Sequence, residues 1–160
     1  WGGKGDDGSN QALSDSIVKA GQAGVLFVAA AGNDSTDNDR DPVFPASFNL
    51  DNMITVAATS ESDGLAFFSN TGVKSVHVGA PGTNVYSTIP GGKYAKLSGT
   101  SMACPHVAGA AALLWAQNPT ATYKQIKERI MSSGDPLSSL SGKTITGKRI
   151  NVERMLETSL

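Results

Sequence analysis

The chain has 160 residues, enough for one domain with a buried core, and 13 basic against 14 acidic side chains leave a net charge of −1. With a pI near 6.1 it has no basic excess on which nucleic-acid or anionic-membrane binding would rest. Cys104 is the only cysteine, so no internal disulfide forms, and no basic presequence or apolar run of membrane length is read within these residues.

Trp1-Gly2-Gly3 and Asp6-Asp7-Gly8 read as an exposed loop whose glycines let another extended backbone come close. Residues 9–23 then predict a helix. Ser9 is its cap, and Ala12, Leu13, Ile17 and Ala20 form its buried stripe, with Gly21 and Gly24 loosening its end. The unbroken apolar run 25–31 suits a strand covered on both faces of a parallel sheet, ended by a turn at Gly32-Asn33-Asp34. A polar, acid-rich loop follows over 35–41, then an extended stretch set by Pro42 and Pro45. Its acids from Asp34 to Asp41 offer oxygen ligands for a structural calcium ion, without the spacing of an EF-hand; a solvated loop is the plainer reading. Further strands are expected at 53–58, 76–78 and 85–88, and Gly91-Gly92 marks a hairpin returning through Tyr94 to Leu97. A second helix is expected over 122–132, buried through Ile126 and Ile130, and a short last helix opens at Ile150-Asn151-Val152.

Between hairpin and second helix lies the stretch on which the chain is organised. It opens with Ser98-Gly99-Thr100-Ser101, and from Met102 to Ala116 it carries no Asp, Glu, Lys or Arg. A helix without a charged face is expected to be buried on all sides. Pro105 is expected in its first turn, where a missing N–H costs little, and Asn118-Pro119 ends it. Strands alternating with helices predict an α/β fold with a mainly parallel sheet, and ligands of such sheets sit beyond the carboxyl ends of the strands. Gly32-Asn33 falls at one such end, and Ser101 starts a helix there.

A serine at a helix N-terminus lies near unpaired N–H groups and the positive end of the dipole. An oxyanion formed after attack on a carbonyl is stabilised there. Acyl transfer of this kind needs a nucleophile, a base, an acid orienting it and oxyanion donors. Ser101 fits the first role and the Asn33 amide the last. The plainer readings are that Ser101 or Thr100 caps the helix and that Asn33 is a left-handed turn residue. His106 lies five residues beyond Ser101, about 140° around a helix, and faces away from it. It and His77 read as structural, and Cys104 as an inert buried thiol.

The run Gly99-Thr100-Ser101-Met102-Ala103, continuing through Pro105-His106-Val107-Ala108-Gly109, closely resembles the nucleophile motif of the subtilisin-like serine proteases. Ala29-Ala30-Ala31-Gly32-Asn33 resembles that family's strand and oxyanion asparagine. Phe44-Pro45-Ala46-Ser47, Ser69-Asn70-Thr71-Gly72 and Ala80-Pro81-Gly82 follow in the family's order. The resemblance implies an incomplete subtilisin-like α/β fold, with residues 1–160 as a single partial domain. It implies Ser101 as nucleophile, Asn33 as oxyanion donor and polypeptides as substrates. Trp1, Gly2, Gly3, Ala30, Ala31 and Gly32 would line the pocket for the side chain before the scissile bond. His106 matches the family's second, structural histidine. The family's Asp-Thr-Gly and His-Gly-Thr-His strings are absent here, which implies a partner in the missing N-terminal part of the same domain. No cofactor is required for such chemistry, and the implied setting is extracellular or the cell envelope. The expected activity is therefore a serine endopeptidase acting through an acyl-enzyme, with this chain inactive by itself. The rival readings are a pseudoprotease or peptide-binding module, and a serine hydrolase that uses His77 or His106.

Overall fold

The structure, a computed structural model, describes residues 2–5, 10–157 and 160. The expected cap Ser9, together with Trp1, Asp6, Asp7 and Gly8, lies outside them. In chain order the elements are α1 (Gln11–Gln22), β1 (Phe27–Ala30), β2 (Met53–Thr59), β3 (Val78–Pro81), β4 (Val85–Ile89), β5 (Lys93–Leu97) and α2 (Thr100–Gln117). After them come α3 (Tyr123–Ser133), β6 (Asp135–Pro136), β7 (Lys148–Arg149) and α4 (Val152–Leu156).

One sheet runs β1-β2-β3-β7-β6, and β4 with β5 forms a separate hairpin. β1, β2, β3 and β7 pair in parallel, and β6 runs antiparallel to β7. The fold is thus the expected α/β type with a mainly parallel sheet. Every residue of β2 is buried, because both of its faces are covered. Ile54, Val56 and Ala58 pack in one cluster with Val107, Leu114 and Ile126, while Met53 joins Ile17 and Ala29 under α1. That alternation along one strand fixes which residues can reach the helix layer on each face.

Four local expectations are corrected. β1 is only half-buried except at Ala29, since among the described strands it has a single neighbour, β2, and the other edge is open. α2 is charge-free yet buried along one stripe only: Ala103, Val107, Ala110, Ala111 and Leu114 meet the sheet, while Leu113 is 55% exposed. Pro105 stands in the second turn of α2 rather than the first, where it cannot donate to the carbonyl of Ser101 four residues back. In α1 only Ile17 and Gly21 are fully buried, and Ala12 is exposed. Gly21 does not loosen that helix. It makes room for the Asn52 side chain, which donates to the carbonyls of Ile17 and Val25.

Parallel register at the sheet centre depends on a buried side chain. His77, immediately before β3, accepts the Thr55 N–H on Nδ1 at 3.0 Å, and its own N–H donates to the Thr55 carbonyl. Burial first, and Lys127 second, lower its pKa from 6.5 to about 4, so the ring is neutral at physiological pH. α3 begins with a reciprocal capping box between Thr122 and Gln125, and Ile126 and Ile130 fill the core as expected. In α4, the Asn151 side chain accepts the N–H of Arg154. Asp135 ties the small strands to that helix through Arg149 at 2.7 Å and Arg154 at 3.0 Å.

Candidate active site

Ser101 occupies the second position of α2, directly beyond the β4–β5 hairpin. The residue before the helix is Gly99, which has no side chain to cap with, so the plainer reading of Thr100 or Ser101 as the cap does not hold. Gly99 is held from below, its N–H donating to the Gly82 carbonyl at 2.8 Å. A β-carbon on Gly82 would meet Ala58 at 2.6 Å, so the close approach of these two turns requires glycine there. Ser101 itself is exposed. Its N–H lies in the first turn and has no carbonyl four residues back to bond within the helix.

Asn33 reaches the same place from the end of β1. Its Oδ1 accepts both the Thr100 N–H, at 2.8 Å, and the Thr100 hydroxyl, at 3.0 Å. The amide nitrogen is thereby turned away from Thr100. It lies 3.7 Å from the point where a β-carbon on Gly99 would stand, and the Ser101 nitrogen lies 3.7 Å from that same point. Two N–H donors thus border one small space beside Ser101. The left-handed conformation that the plainer reading assigned to Asn33 falls instead on Gly32, with φ of 112°, and on Ser35, with φ of 57°.

On the side toward the chain start lies a cavity of about 310 Å³, bordered by Ser101, Thr100 and Asn33. Gly2, Gly3, Ala30 and Gly32 line it, whereas Ala31 is fully buried and does not, and Trp1 is outside the described residues. Its apolar far wall, which the sequence did not disclose, is Val43 and Phe44. Phe44 arrives there because it exchanges both main-chain bonds with Gly3, each of 2.9 Å, and a β-carbon on Gly2 would press on the Phe44 carbonyl at 2.9 Å. Gly2 therefore accommodates this chain's own backbone, whereas a β-carbon on Gly3 would meet nothing. Lys4, paired with Asp41, and Asp34 supply the polar side of the cavity.

A second groove, of about 370 Å³, opens on the other side of Ser101, between β4, Leu97 and the helix residues Met102, Pro105 and His106. His106 is exposed rather than buried, a correction that follows from the one-sided burial of α2. Its Nδ1–H donates to the Met102 carbonyl at 2.8 Å, one turn back. His77 is buried 3% exposed in the sheet and does not border either space. No hydrogen bond joins Ser101 to a histidine or a carboxylate among the described residues. Cys104 is half-buried with its thiol on the Val28 carbonyl at 3.4 Å, and burial raises its pKa, so the reactive thiolate is disfavoured.

The acids of this loop are bonded within the chain. Asp39 accepts from the Ser75 hydroxyl at 2.7 Å and the Lys74 N–H at 2.9 Å, and Asp37 accepts the Asp39 N–H at 3.0 Å. Among the described residues no three His, Cys, Asp or Glu side chains come together to hold a metal.

Residues 1–149 match the description of the Subtilase family. Subtilisin-like protease 2 of Plasmodium falciparum (isolate 3D7) is 37% identical over 141 residues, 86% of this chain and 10% of that protein. Subtilisin DY of Bacillus licheniformis is 40% identical over 152 residues, 93% of this chain and 53% of that protein. In structure, a chain of the subtilase cytotoxin SubAB assembly superposes with a TM-score of 0.82 at 27% identity, over 98% of this chain and 56% of that one. The chain thus spans about half the length of these relatives, or less.

Proposed function

The chain belongs to the subtilase family, and on that premise we propose that it carries the nucleophile and oxyanion side of a serine endopeptidase site. In this reading the Ser101 hydroxyl attacks the scissile carbonyl carbon while a base takes its proton. The carbonyl oxygen, now negative, sits between the Asn33 amide and the Ser101 N–H. Collapse passes the proton to the leaving amine and leaves an acyl group on Ser101, which water then removes. The observation that carries the proposal is the double grip of Thr100 on Asn33 Oδ1, at 2.8 and 3.0 Å, which leaves the amide N–H groups for the space beside Ser101.

The base and its orienting acid belong, in this reading, to the N-terminal part of the same catalytic domain, outside these 160 residues. That part would cover the open edge of β1 and the uncovered face of α2, and would bring its base into the groove on the second side of Ser101. The substrate is a polypeptide whose side chain before the scissile bond enters the cavity against Val43 and Phe44, which favours an apolar group. Main-chain groups of Gly3 are taken by Phe44. Strand alternation therefore assigns an added peptide strand to the groups of Gly2 and Lys4, which point the opposite way. The proposed setting is outside the cell or in the cell envelope, as the family resemblance implies. No helix among the described residues is long and apolar enough to cross a membrane.

A non-enzymatic, peptide-binding role is the second reading, favoured for the isolated chain by the lack of a hydrogen-bonded base at Ser101. The complete catalytic domain separates the two. A fluorophosphonate should label Ser101 stoichiometrically. Asn33→Ala should lower kcat by about 10²–10³-fold with little change in KM, a size established by removing such a donor in a subtilisin. No labelling at Ser101, or a loss under about fivefold, would remove these roles.

A further inference from the structure

Asn33 is aimed by its amide bonds to Thr100, but an amide is only as well placed as the main chain that carries it. The segment holding that main chain is the Ser69-Asn70-Thr71-Gly72 run. Asn70 is fully buried, and its N–H and its side chain bond to the loop of Asn33 and to a second buried amide. Its N–H donates to the Gly32 carbonyl at 3.0 Å. Its side-chain oxygen accepts the Asp34 N–H at 2.8 Å and the Thr36 N–H at 3.2 Å. The Gly32 carbonyl and the Asp34 N–H belong to the two peptide groups that flank Asn33. Asn70 therefore holds both peptide planes from which the φ and ψ of Asn33 are measured.

The clasp is itself fixed. The Asn70 amide nitrogen donates to Asn38 Oδ1 at 2.9 Å, and the Asn38 amide donates to the Ala31 carbonyl at 2.8 Å. Asn38 is 1% exposed, so neither amide has water as an alternative partner. Above them Gly32 has φ of 112°, and a β-carbon there would stand 2.5 Å from the Asn70 amide nitrogen. Gly32 is thus required twice, by its conformation and by the side chain packed beneath it.

We propose that Asn70, locked by Asn38, is a positioning residue for catalysis: it sets the place of the Asn33 amide relative to Ser101 without touching substrate. The proposal rests on the oxyanion role of Asn33. A displaced donor weakens an interaction that is made fully only in the transition state, so the loss falls on kcat.

The test is a double-mutant cycle in the complete catalytic domain, with kcat and KM measured on one peptide substrate. Asn70→Ala is expected to lower kcat by about 10–10²-fold, with KM changed by less than about threefold. In an Asn33→Ala background the same substitution should lower kcat by no more than about threefold further, because the donor it positions is gone. An undiminished loss in the Asn33→Ala background overturns the proposal, since Asn70 would then support the fold in general. A kcat within about threefold of the parent for Asn70→Ala overturns it as well. Where Asn70→Ala does not fold, Asn38→Ala, which frees the clasp from its lock, takes its place in the cycle under the same criteria. An Asn33→Ala enzyme of nearly full activity would instead bring down the oxyanion reading itself, and is told apart by that single variant.

Discussion

At Gly99 the backbone is extended, with φ of 160° and ψ of 159°, a conformation open to any L-residue. A β-carbon there would find the Met102 sulfur at 3.6 Å and the Asn33 and Ser101 nitrogens at 3.7 Å, all ordinary contact distances. Gly99→Ala should therefore fold, with a stability change under about 1 kcal/mol. The added methyl would stand in the space between the two donors, so kcat should fall by about tenfold or more. Steady-state kinetics beside a thermal melt check both halves, and an unchanged kcat would place the oxyanion elsewhere. Ser101 and Asn33 were legible in the sequence because each sits in a long run of residues in register with a family. Thr100 and Asn70 were quoted in such runs, but their work was invisible there. It consists of bonds across 67 and 36 residues of chain, and no local pattern carries a through-space partner.

Elements follow the same division. The helices of 122–132 and 9–23, the hairpin turn at Gly91-Gly92 and the strand at 53–58 were all readable, since caps, turn glycines and apolar runs are local signals. Burial was misread wherever it depends on what lies opposite. The apolar run of β1 and the charge-free α2 were both expected to be covered; β1 has helices against both faces but one strand neighbour among the described strands, and α2 is buried along one stripe. His77 shows an element held by an ionisable group with one permitted state. Protonation of Nδ1 would set an N–H against the Thr55 N–H it now accepts. Its folded pKa of about 4 lies below the ordinary 6.5, so the unfolded chain binds the proton more tightly. Stability is then complete above about pH 6.5 and is lost as pH falls toward 4, by about 3 kcal/mol from this residue. Denaturant titrations at pH 7 and pH 4 should show that loss in the parent and a smaller one in His77→Gln, whose side-chain oxygen accepts without titrating. Equal losses in both proteins would clear His77 of the role.

On the scale of the molecule, the exposed face of α2 with Leu113, the open edge of β1 and Phe67, 90% exposed, present apolar side chains and a strand edge to water. The isolated 160-residue chain should self-associate in light scattering and should not take up a fluorophosphonate. Supplying the upstream part of the domain, in trans or in one chain, should restore both a single species and labelling at Ser101. A monomeric isolated chain that labels at Ser101, with labelling abolished by His77→Ala or His106→Ala, would reveal a base already present. The Thr100–Asn33 bond has one more consequence, and it concerns time. A hairpin like β4–β5 closes in about 1–10 μs from neighbouring residues. The bond that aims Asn33 closes a loop of 67 residues and must await parallel pairing of β1, β2 and β3. In the proposed reading, Ser101 therefore gains its oxyanion donor only after those strands have paired. On the proposed function, the long-range contact that fixes Asn33 is also the one that would complete the oxyanion side of the site.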